Sequence, residues 1–273
     1  MRVFINNNWI LNNIKLILKK AAKKVNLGLV SYAELARLRS LSNQTADADL
    51  KFLKVFSPSI AGELIHLVSL SRSQIRQDLF VLAELGFKKN GYFVEFGAAD
   101  GINLSNSYLL EKEFAWTGIL AEPARAWQNK IRSNRPNSII ETSCVWKNSE
   151  EILLFNETKT PELSTLDLFS NSDFHIDSRK YGNKYEVQTI SLNDMLAKHK
   201  APRKIDFLSI DTEGSEFEIL NSFDFESYDI KVITCEHNYG ESRDKILSLL
   251  VSKGYERKFE SISLFDDWYV KIA

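Results

Sequence analysis

The chain has 273 residues, of which 44% are hydrophobic and 26% are charged, enough to bury the core of one α/β domain with an appended segment. Its formal net charge of −1 argues against a nucleic-acid-binding protein that is held by a global positive field. Eleven glycines and five prolines are too few for long disordered stretches.

Both cysteines, Cys144 and Cys235, lie in apolar, strand-like runs. This position favours reduced core residues in a cytosolic protein over a disulfide. The N-terminus lacks the apolar core and small-residue cleavage site of a signal peptide, and no run of about 18 apolar residues could span a bilayer. We therefore expect a cytoplasmic protein.

The first 40 residues are basic, with no acidic side chain before Glu34. Between residues 9 and 25, apolar residues recur at helical spacing with lysines on the opposite face. Such a helix packs on its own domain or on a second copy of the chain, or makes peripheral contact with an anionic membrane surface at the inner face. We predict a helical N-terminal extension over residues 1–70, serving oligomerisation, substrate cover or peripheral contact, and a main domain over residues 71–273.

Residues 42–49 predict a polar linker, and residues 50–70 predict two short helices broken at Ser57-Pro58, because proline suits the first turn of a helix. A further helix is predicted over residues 78–85. From Tyr92 onward, strands and helices alternate, which predicts βαβ units and a mainly parallel sheet with helices on both faces. The predicted strands are 92–96, 117–121, 138–145, 151–156, 186–190, 205–210 and 231–235, then a closing antiparallel hairpin of 255–259 and 268–272; the predicted helices are 105–114, 124–133, 192–199, 214–220 and 244–253.

A polar stretch over residues 157–184 interrupts the alternation. Long irregular insertions in compact domains are usually functional, so this one predicts a lid or a substrate loop. It contains His175, which we take as a candidate substrate contact together with Asn103 and Ser105.

Acidic residues stand at the ends of four predicted strands, namely Glu95, Glu122, Asp211 and Glu236. In open α/β sheets the ligand binds beyond the carboxyl ends of the strands, and an acid at the end of the second strand can hold a ribose diol. The alternative is that these acids only cap the helices that follow. The turn at Gly97 and Gly101 is not the dinucleotide fingerprint, because Ala99 stands where its second glycine would be.

The motifs together resemble the FkbM family of methyltransferases, which use S-adenosylmethionine (SAM). The resemblance covers about residues 71–272 and implies a class I Rossmann-like sheet and methyl transfer from SAM, most often to a hydroxyl of a sugar or natural product. The motifs are Ser73-Gln74 with Gln77-Asp78, the stretch GYFVEFGAADG at 91–101, Ser105-Asn106-Ser107 with Leu110-Glu111, WTGILAEP at 116–123, and IDFLSIDTEGSE at 205–216.

The same resemblance implies a cofactor site. Glu95, Gly97 and Ala98 would contact the methionine part of SAM, with Asp100 and Gly101 closing the turn. The ribose hydroxyls would bind Glu122. The residues implied to border the adenine are Ser143, Cys144 and Val145. Many methyltransferases have a third glycine in the first motif, and Ala99 occupies that neighbourhood.

A sugar hydroxyl is a weak acid, so its methylation requires a base or a metal. We predict His237 as the first candidate base, since neutral imidazole accepts a proton near pH 7, and Asp211 and Glu213 as the next. The alternative for His237 is a hydrogen-bonded structural histidine. Asp211, Glu236 and His237 could instead hold Mg²⁺ or Mn²⁺.

We therefore expect a SAM-dependent O-methyltransferase that acts on a sugar in a surface glycan or its precursor. Two alternatives stay open: an acceptor that is a polyketide or peptide, and a SAM-fold protein that binds a partner or glycan without catalysis. The cofactor motif argues against the second alternative, because Glu95, Gly97, Gly101 and Glu122 are all present.

Overall fold

The computed structural model of the protein describes residues 45–172 and 175–272. The chain divides into two units between Lys51 and Phe52. The basic stretch 9–25 and the start of the predicted linker lie outside the described residues. The linker prediction is wrong for residues 45–49, which are helical; alanines favour a helix there, and Asp47 pairs with Lys51 one turn later at 2.7 Å.

Eleven strands and nine α-helices make up the described part of the second unit. The strands are β1 (Tyr92–Phe96), β2 (Thr117–Ala121), β3 (Ile139–Glu141), β4 (Cys144–Trp146), β5 (Ile152–Glu157), β6 (Thr165–Leu166), β7 (Asn183–Ser191), β8 (Lys204–Ile210), β9 (Asp229–Glu236), β10 (Tyr255–Lys258) and β11 (Asp266–Lys271). The helices are α1 (Pro58–Ile65), α2 (Gln77–Glu84), α3 (Tyr108–Phe114), α4 (Gln128–Asn134), α5 (Ile176–Arg179), α6 (Leu192–Lys198), α7 (Glu216–Asn221), α8 (Arg243–Ser252) and α9 (Glu260–Ser263).

Seven strands form the main sheet in the order β10–β11–β9–β8–β1–β2–β3. The five strands from β9 to β3 pair in parallel, and β11 runs antiparallel to both of its neighbours. This confirms the predicted α/β class and the closing hairpin. Strand order reverses at β1, since β2 lies on one side of it and β8 on the other, and such a switch point opens a crevice at the carboxyl ends of the strands.

Hydrophobic clusters cover both faces of the main sheet. Side chains alternate along each strand, so Val94 and Phe96 of β1 join one cluster while Phe93 joins the other. The second cluster also contains Phe52, Leu64 and residues of α2. Ser57 caps α1 and Pro58 opens it, as the sequence predicts. None of the described helices is long and apolar enough to cross a membrane.

A second, four-stranded sheet has the order β4–β7–β5–β6, and the sequence did not predict it. The predicted single strand 138–145 is wrong, because the chain turns at Thr142 and Ser143, whose backbone N–H groups donate to Glu141 at 3.0 and 2.9 Å. β3 therefore joins the main sheet and β4 the small one. The insertion 157–184 is also more ordered than predicted: it supplies β6, α5 and two 3₁₀ turns, Pro161–Leu163 and Asp167–Phe169.

Candidate active site

A pocket lies where the switch point predicts it, at the carboxyl ends of β1, β2 and β8. It spans about 940 Å³ of space between atoms, part of which is open to solvent. Among the residues singled out in the sequence, those that line it are Glu95, Gly97, Ala99, Glu122, Cys144, Val145, Asp211 and Glu213. Those that do not are Ala98, Asp100, Gly101, Asn103, Ser105, Ser143, His175, Glu236 and His237.

Gly97 directly follows β1 and lies against Asp211, the residue that directly follows the neighbouring strand β8. Its φ is +68°, and a Cβ added there would lie 2.0 Å from the backbone oxygen of Asp211. Only glycine fits this approach. Three residues later, the Asp100 carboxylate accepts the N–H groups of Ile102 and Asn103 at 2.9 and 2.8 Å. Asp100 thus shapes the loop after the turn.

Glu95 is buried and binds that loop. Its carboxylate accepts hydrogen bonds from Ser105 Oγ at 3.0 Å and the Asn106 N–H at 2.7 Å, and also from Ser107 Oγ. Burial raises the pKa of Glu95, and the charge of Arg135 opposes that rise. These three contacts explain why α3 begins at Tyr108 and not at the predicted Ser105.

Glu122 follows β2 and joins two loops. Its two carboxylate oxygens accept the N–H groups of Ala99 at 2.9 Å and Ala124 at 2.8 Å. Each oxygen keeps a lone pair for a further donor. Burial raises the pKa of Glu122 to about 8, with the nearby carboxylates of Asp211 and Glu157 adding to the rise. Glu122 therefore binds two loops and does not cap the following helix, α4, which begins at Gln128, and it also lines the pocket.

Ala99 adopts a left-handed backbone conformation with φ +46°. For an L-residue this conformation costs about 1–2 kcal/mol, which glycine avoids, while glycine loses about 0.5–1 kcal/mol more in chain entropy. We therefore expect Ala99→Gly to leave the free energy of unfolding unchanged or to raise it by up to about 1 kcal/mol, as measured by urea unfolding. Ala98→Gly, at a buried neighbour without a positive φ, should lower it; equal losses in both variants would contradict this account.

Cys144 and Val145, which follow the turn between β3 and β4, also line the pocket. Burial raises the pKa of the Cys144 thiol to about 12, with the Glu122 carboxylate adding to it. Cys144 and Cys235 are both buried and free, so the predicted reduced state is the one observed.

Glu141 fixes that turn. Burial alone would raise its pKa, but hydrogen bonds from Lys198 at 2.6 Å, the Ser143 backbone and His199 at 2.8 Å lower it to about 2. A depressed carboxylate pKa stabilises the fold above the unfolded pKa, and that stabilisation is lost as pH falls.

The stability supplied by Glu141 should therefore disappear between about pH 5 and pH 2. We expect Glu141→Gln to be less stable than the native protein at pH 6 and to approach it as pH falls, measured by urea unfolding at each pH. The exposed Glu150 gives the control, Glu150→Gln, with a change within about 0.5 kcal/mol. A constant difference between Glu141→Gln and the native protein down to pH 3 would refute this role.

Three carboxyl groups converge at the ends of β8 and β9. Asp211, Glu213 and Glu236 each place one oxygen within 4.8 Å of the others. Burial raises the pKa of Asp211 to about 7, although a hydrogen bond with Glu236 opposes the rise, and burial together with the Asp211 charge raises the pKa of Glu236 well above its usual range. Glu236 Oε2 has no hydrogen-bond partner among the described residues. The group can therefore accept a proton or a cation.

Two buried side chains, Arg179 and Glu216, hold the cluster of three carboxyl groups in place. Arg179, from the insertion, donates to Glu213 Oε2 at 2.7 Å. Glu216 accepts hydrogen bonds from the Thr212 backbone and hydroxyl and from the Gly214 backbone at 2.9–3.1 Å. The insertion 157–184 is thus bonded to the cluster of three carboxyl groups. Four of its residues also line the pocket, namely Pro161, Glu162, Ser164 and Leu166.

His237 does not line this pocket. Its Nδ1 accepts the Tyr239 N–H at 3.0 Å, and its Nε2 lies 3.7 Å from Asp267 Oδ1. Burial lowers the pKa of His237. The predicted set of metal ligands needs one correction. His237 does not belong to the cluster of three carboxyl groups, and the third member is Glu213. The role of His237 as a base stays a prediction.

Sequence reasoning missed several residues of the site. Asn106 lines the pocket with its Nδ2 donating to Ser209 Oγ at 2.9 Å, and its buried Oδ1 has no partner among the described residues. Arg135 donates to the Gly101 backbone oxygen at 2.9 Å and to Ser105 Oγ at 3.2 Å. Asn106 stands inside a motif quoted above and could have been found, whereas no local pattern marks Arg135 or Arg179.

The chain resembles known methyltransferases in sequence and in structure. Residues 95–259 match the family model described as "Methyltransferase FkbM domain", whereas no curated protein matches. Among solved structures, the chain is similar to a methyltransferase FkbM from Methylobacillus flagellatus KT, with 11% identity, a TM-score of 0.41 and coverage of 77% of this chain and 60% of that one.

Two further solved structures are similar at comparable levels. A precorrin-6y C5,15-methyltransferase from Geobacter metallireducens GS-15 shows 14% identity and a TM-score of 0.36, covering 66% of this chain and 71% of its own. A TehB-like SAM-dependent methyltransferase from Corynebacterium glutamicum ATCC 13032 Kitasato shows 8% identity and a TM-score of 0.38, covering 78% and 96%. Since the family model matches more than half of its residues, this chain belongs to the FkbM family of SAM-dependent methyltransferases.

Proposed function

We propose that this methyltransferase transfers the methyl group of SAM to the hydroxyl of a sugar in a surface glycan or its precursor. The observation that carries the proposal is the group of buried acids at the carboxyl ends of the strands, which can take up the proton of a weakly acidic hydroxyl. SAM, when bound, supplies a methyl group whose C–S electron pair stays on sulfur as the acceptor oxygen forms its new bond. The protein must bind and orient the two reactants and take up the proton.

The pocket fits SAM chemically. SAM carries positive charge on its sulfonium and ammonium groups, and the pocket presents carboxyl groups from Glu95, Glu122, Asp211 and Glu213. Asn106 Oδ1, buried and without a described partner, suits an ammonium donor, because a buried acceptor without a partner is costly. Glu95 and Gly97 lie beside it on β1 and the turn after it.

The acceptor's proton needs a base within hydrogen-bond reach. Asp211 lines the pocket and contacts Glu236, so the pair can hold one proton between two oxygens. We assign this role to Asp211 ahead of His237, because His237 Nδ1 already accepts the Tyr239 N–H. Glu213 orients the pair through its bond to Arg179.

We also place the expected Mg²⁺ or Mn²⁺ at Asp211, Glu213 and Glu236, where oxygen ligands suit both ions. A bound ion should raise the melting temperature of the native protein and not that of Asp211→Asn. Glu150→Gln, at an exposed acid that belongs neither to the three carboxyl groups nor to the pocket lining, is the control. If the ion raises the melting temperature of Asp211→Asn by the same amount, the metal site at these residues is contradicted. Their role as proton acceptors would then remain.

The cofactor assignment is tested by titrating the protein calorimetrically with S-adenosylhomocysteine (SAH) at several pH values. Ribose hydroxyls donate to the ionised form of Glu122, whose pKa is about 8 without ligand. Affinity for SAH should therefore rise about tenfold between pH 7 and pH 9, with protons released on binding near pH 7. Glu122→Gln should bind SAH more weakly and lose this pH dependence. If the variant binds SAH weakly but keeps the pH dependence, the group that titrates is not Glu122.

The remaining expectations are proposals as well. Turnover of a polyketide or peptide acceptor in place of every sugar would select the first alternative. No SAH binding at any pH would select a non-catalytic protein. A cytoplasmic location, peripheral contact through residues 9–25 with the inner face of a membrane and a homo-oligomer are proposed from the sequence alone. No nucleic acid partner is expected.

A further inference from the structure

A second pocket includes Glu236, one of the three clustered acids, in its lining. It encloses about 1090 Å³, including its open mouth, and its lining includes Phe169, Asn171, Glu236, Asn238 and Tyr239. Asp211 and Glu213 line the first pocket, whereas Glu236 lines the second. Because oxygens of these three acids lie within 4.8 Å of one another, the two pockets meet at the group that handles the proton.

Glu236 provides an unsatisfied group in this pocket. The residue is 8% exposed, and its Oε2 has no hydrogen-bond partner among the described residues. A buried carboxyl oxygen without a partner costs free energy that a ligand hydroxyl can recover. A ligand hydroxyl that reaches Glu236 from this pocket would supply the missing hydrogen bond.

A strained turn presents an aromatic ring at the mouth of the same pocket. Asn238 and Tyr239 have φ values of +43° and +56°, which is costly for a bulky residue such as tyrosine. The Tyr239 side chain is nevertheless 64% exposed. Such strain persists only where the surroundings impose it, and it concentrates at functional sites.

His237 imposes this conformation. Its Nδ1 accepts the Tyr239 N–H at 3.0 Å, its backbone oxygen accepts the Gly240 N–H at 2.6 Å, and the two rings lie edge to face with centroids 5.3 Å apart. The backbone oxygen of Phe265 holds the other side of the turn by accepting from His237 and Asn238 at 2.8 and 3.2 Å. His237 is thus a positioning residue for Tyr239.

The charges of the pocket restrict its ligand. Its lining contains no lysine or arginine among the described residues, and its titratable members are Glu216, Glu236, Glu241 and His237. A phosphate or carboxylate on the ligand would face acids without a cation to pair with. The pocket suits a neutral polyol with one apolar face, because an aromatic ring packs against C–H groups while polar neighbours bind hydroxyls.

We propose that this second pocket is the acceptor subsite and that it binds an uncharged pyranose unit. The ring of Tyr239 packs against the C–H face of the sugar, and Glu236 hydrogen-bonds the hydroxyl that points toward Asp211. This proposal rests on the proposed function and adds to it the place, the orientation and the absence of phosphate on the bound unit.

The test is saturation-transfer NMR of the full-length protein with methyl glycosides of glucose, galactose, mannose, rhamnose and N-acetylglucosamine, each with and without SAH. We expect at least one glycoside to bind, Tyr239→Ala to weaken it at least about tenfold, and Tyr239→Phe to retain it, since the ring carries the contact. Tyr181→Ala is the matched control, because Tyr181 is 77% exposed and lines neither pocket.

The outcomes separate the two proposals. Binding of every glycoside unchanged in Tyr239→Ala, or no binding across the panel, overturns the acceptor subsite while SAH binding still supports the enzyme. Loss of SAH affinity in Tyr239→Ala also overturns it, because the turn would then support the cofactor pocket. Mannose 1-phosphate should bind more weakly than methyl mannoside, and the reverse order contradicts the absence of phosphate. Failure of SAH to bind the native protein defeats the proposed function and with it the role of the sugar as acceptor, whereas glycoside binding, which is read without SAH as well, would still show a sugar site at Tyr239.

Discussion

Gly97→Ala should lower the free energy of unfolding by about 2–5 kcal/mol and abolish SAH binding. The left-handed conformation of residue 97, φ +68°, costs an alanine about 1–2 kcal/mol, and forced overpacking adds about 1–3 kcal/mol. The atom that the new Cβ meets at 2.0 Å is the backbone oxygen of Asp211, which cannot rotate away as a side chain would. β1 and β8 must therefore separate at the floor of the pocket. Urea unfolding and calorimetric titration with SAH measure the two effects.

Gly86→Ala provides the matched control for this prediction. Gly86 has nearly the same backbone conformation, φ +59°, but no atom lies within 4 Å of an added Cβ. Its alanine variant should therefore lose only about 1–2 kcal/mol and bind SAH as the native protein does. If the two variants lose the same stability, conformational strain explains both and the contact with Asp211 is not limiting.

Apart from β3, the strands of the main sheet were predictable because each carries a pattern that its neighbours do not disturb. β1 and β8 are short apolar runs that end at a glycine or an acid, and their bounds fall within one or two residues of the prediction. The strand 138–145 failed for a local reason. A single carboxylate, Glu141, accepts two successive N–H groups, which turns an otherwise continuous apolar run into the edges of two sheets.

The positions of the site residues were more predictable than their hydrogen-bond partners. The carboxyl ends of parallel strands meet at one edge, so the sequence could place Glu95, Glu122 and Asp211 around one pocket. It could not show that both oxygens of Glu122 bind backbone N–H groups, or that His237 faces Asp267. Those contacts depend on where loops distant in sequence return, and that is decided by packing.

The buried arginines were beyond sequence reasoning for the same reason. Arg135 and Arg179 are each about 1% exposed or less, yet both stand in polar stretches that read as surface. Each pairs with an acid that is more than 20 residues away, Glu111 and Glu213. Buried charges of this kind are tolerated only when fully paired, so the loops they join are fixed by the pairing and not by local propensity.

Arg135→Met should lower the free energy of unfolding by about 3–5 kcal/mol, the range found when one partner of a buried ion pair is removed. Arg135 Nε donates to Glu111 Oε2 at 2.6 Å, and its other nitrogens hold the Gly101 backbone oxygen, Ser105 and Ser107. The serines in turn bind Glu95. Methionine keeps the apolar stem but leaves the loop 101–107 without its anchor, so SAH binding should weaken by at least about tenfold.

Lys112→Met is the control for Arg135→Met, because it removes a positive charge beside Glu111 and leaves the contacts of Arg135 with the loop 101–107 intact. Lys112 contacts the same acid, Glu111, at 3.4 Å, but its side chain is 35% exposed, so its loss should cost at most about 1 kcal/mol. Adding Glu111→Gln to Arg135→Met should recover part of the stability, because the unpaired carboxylate is removed, without recovering SAH affinity, because the loop contacts remain lost. Equal recovery of both would mean that the unpaired Glu111 carboxylate, and not the lost contacts of Arg135 with the loop, weakens SAH binding.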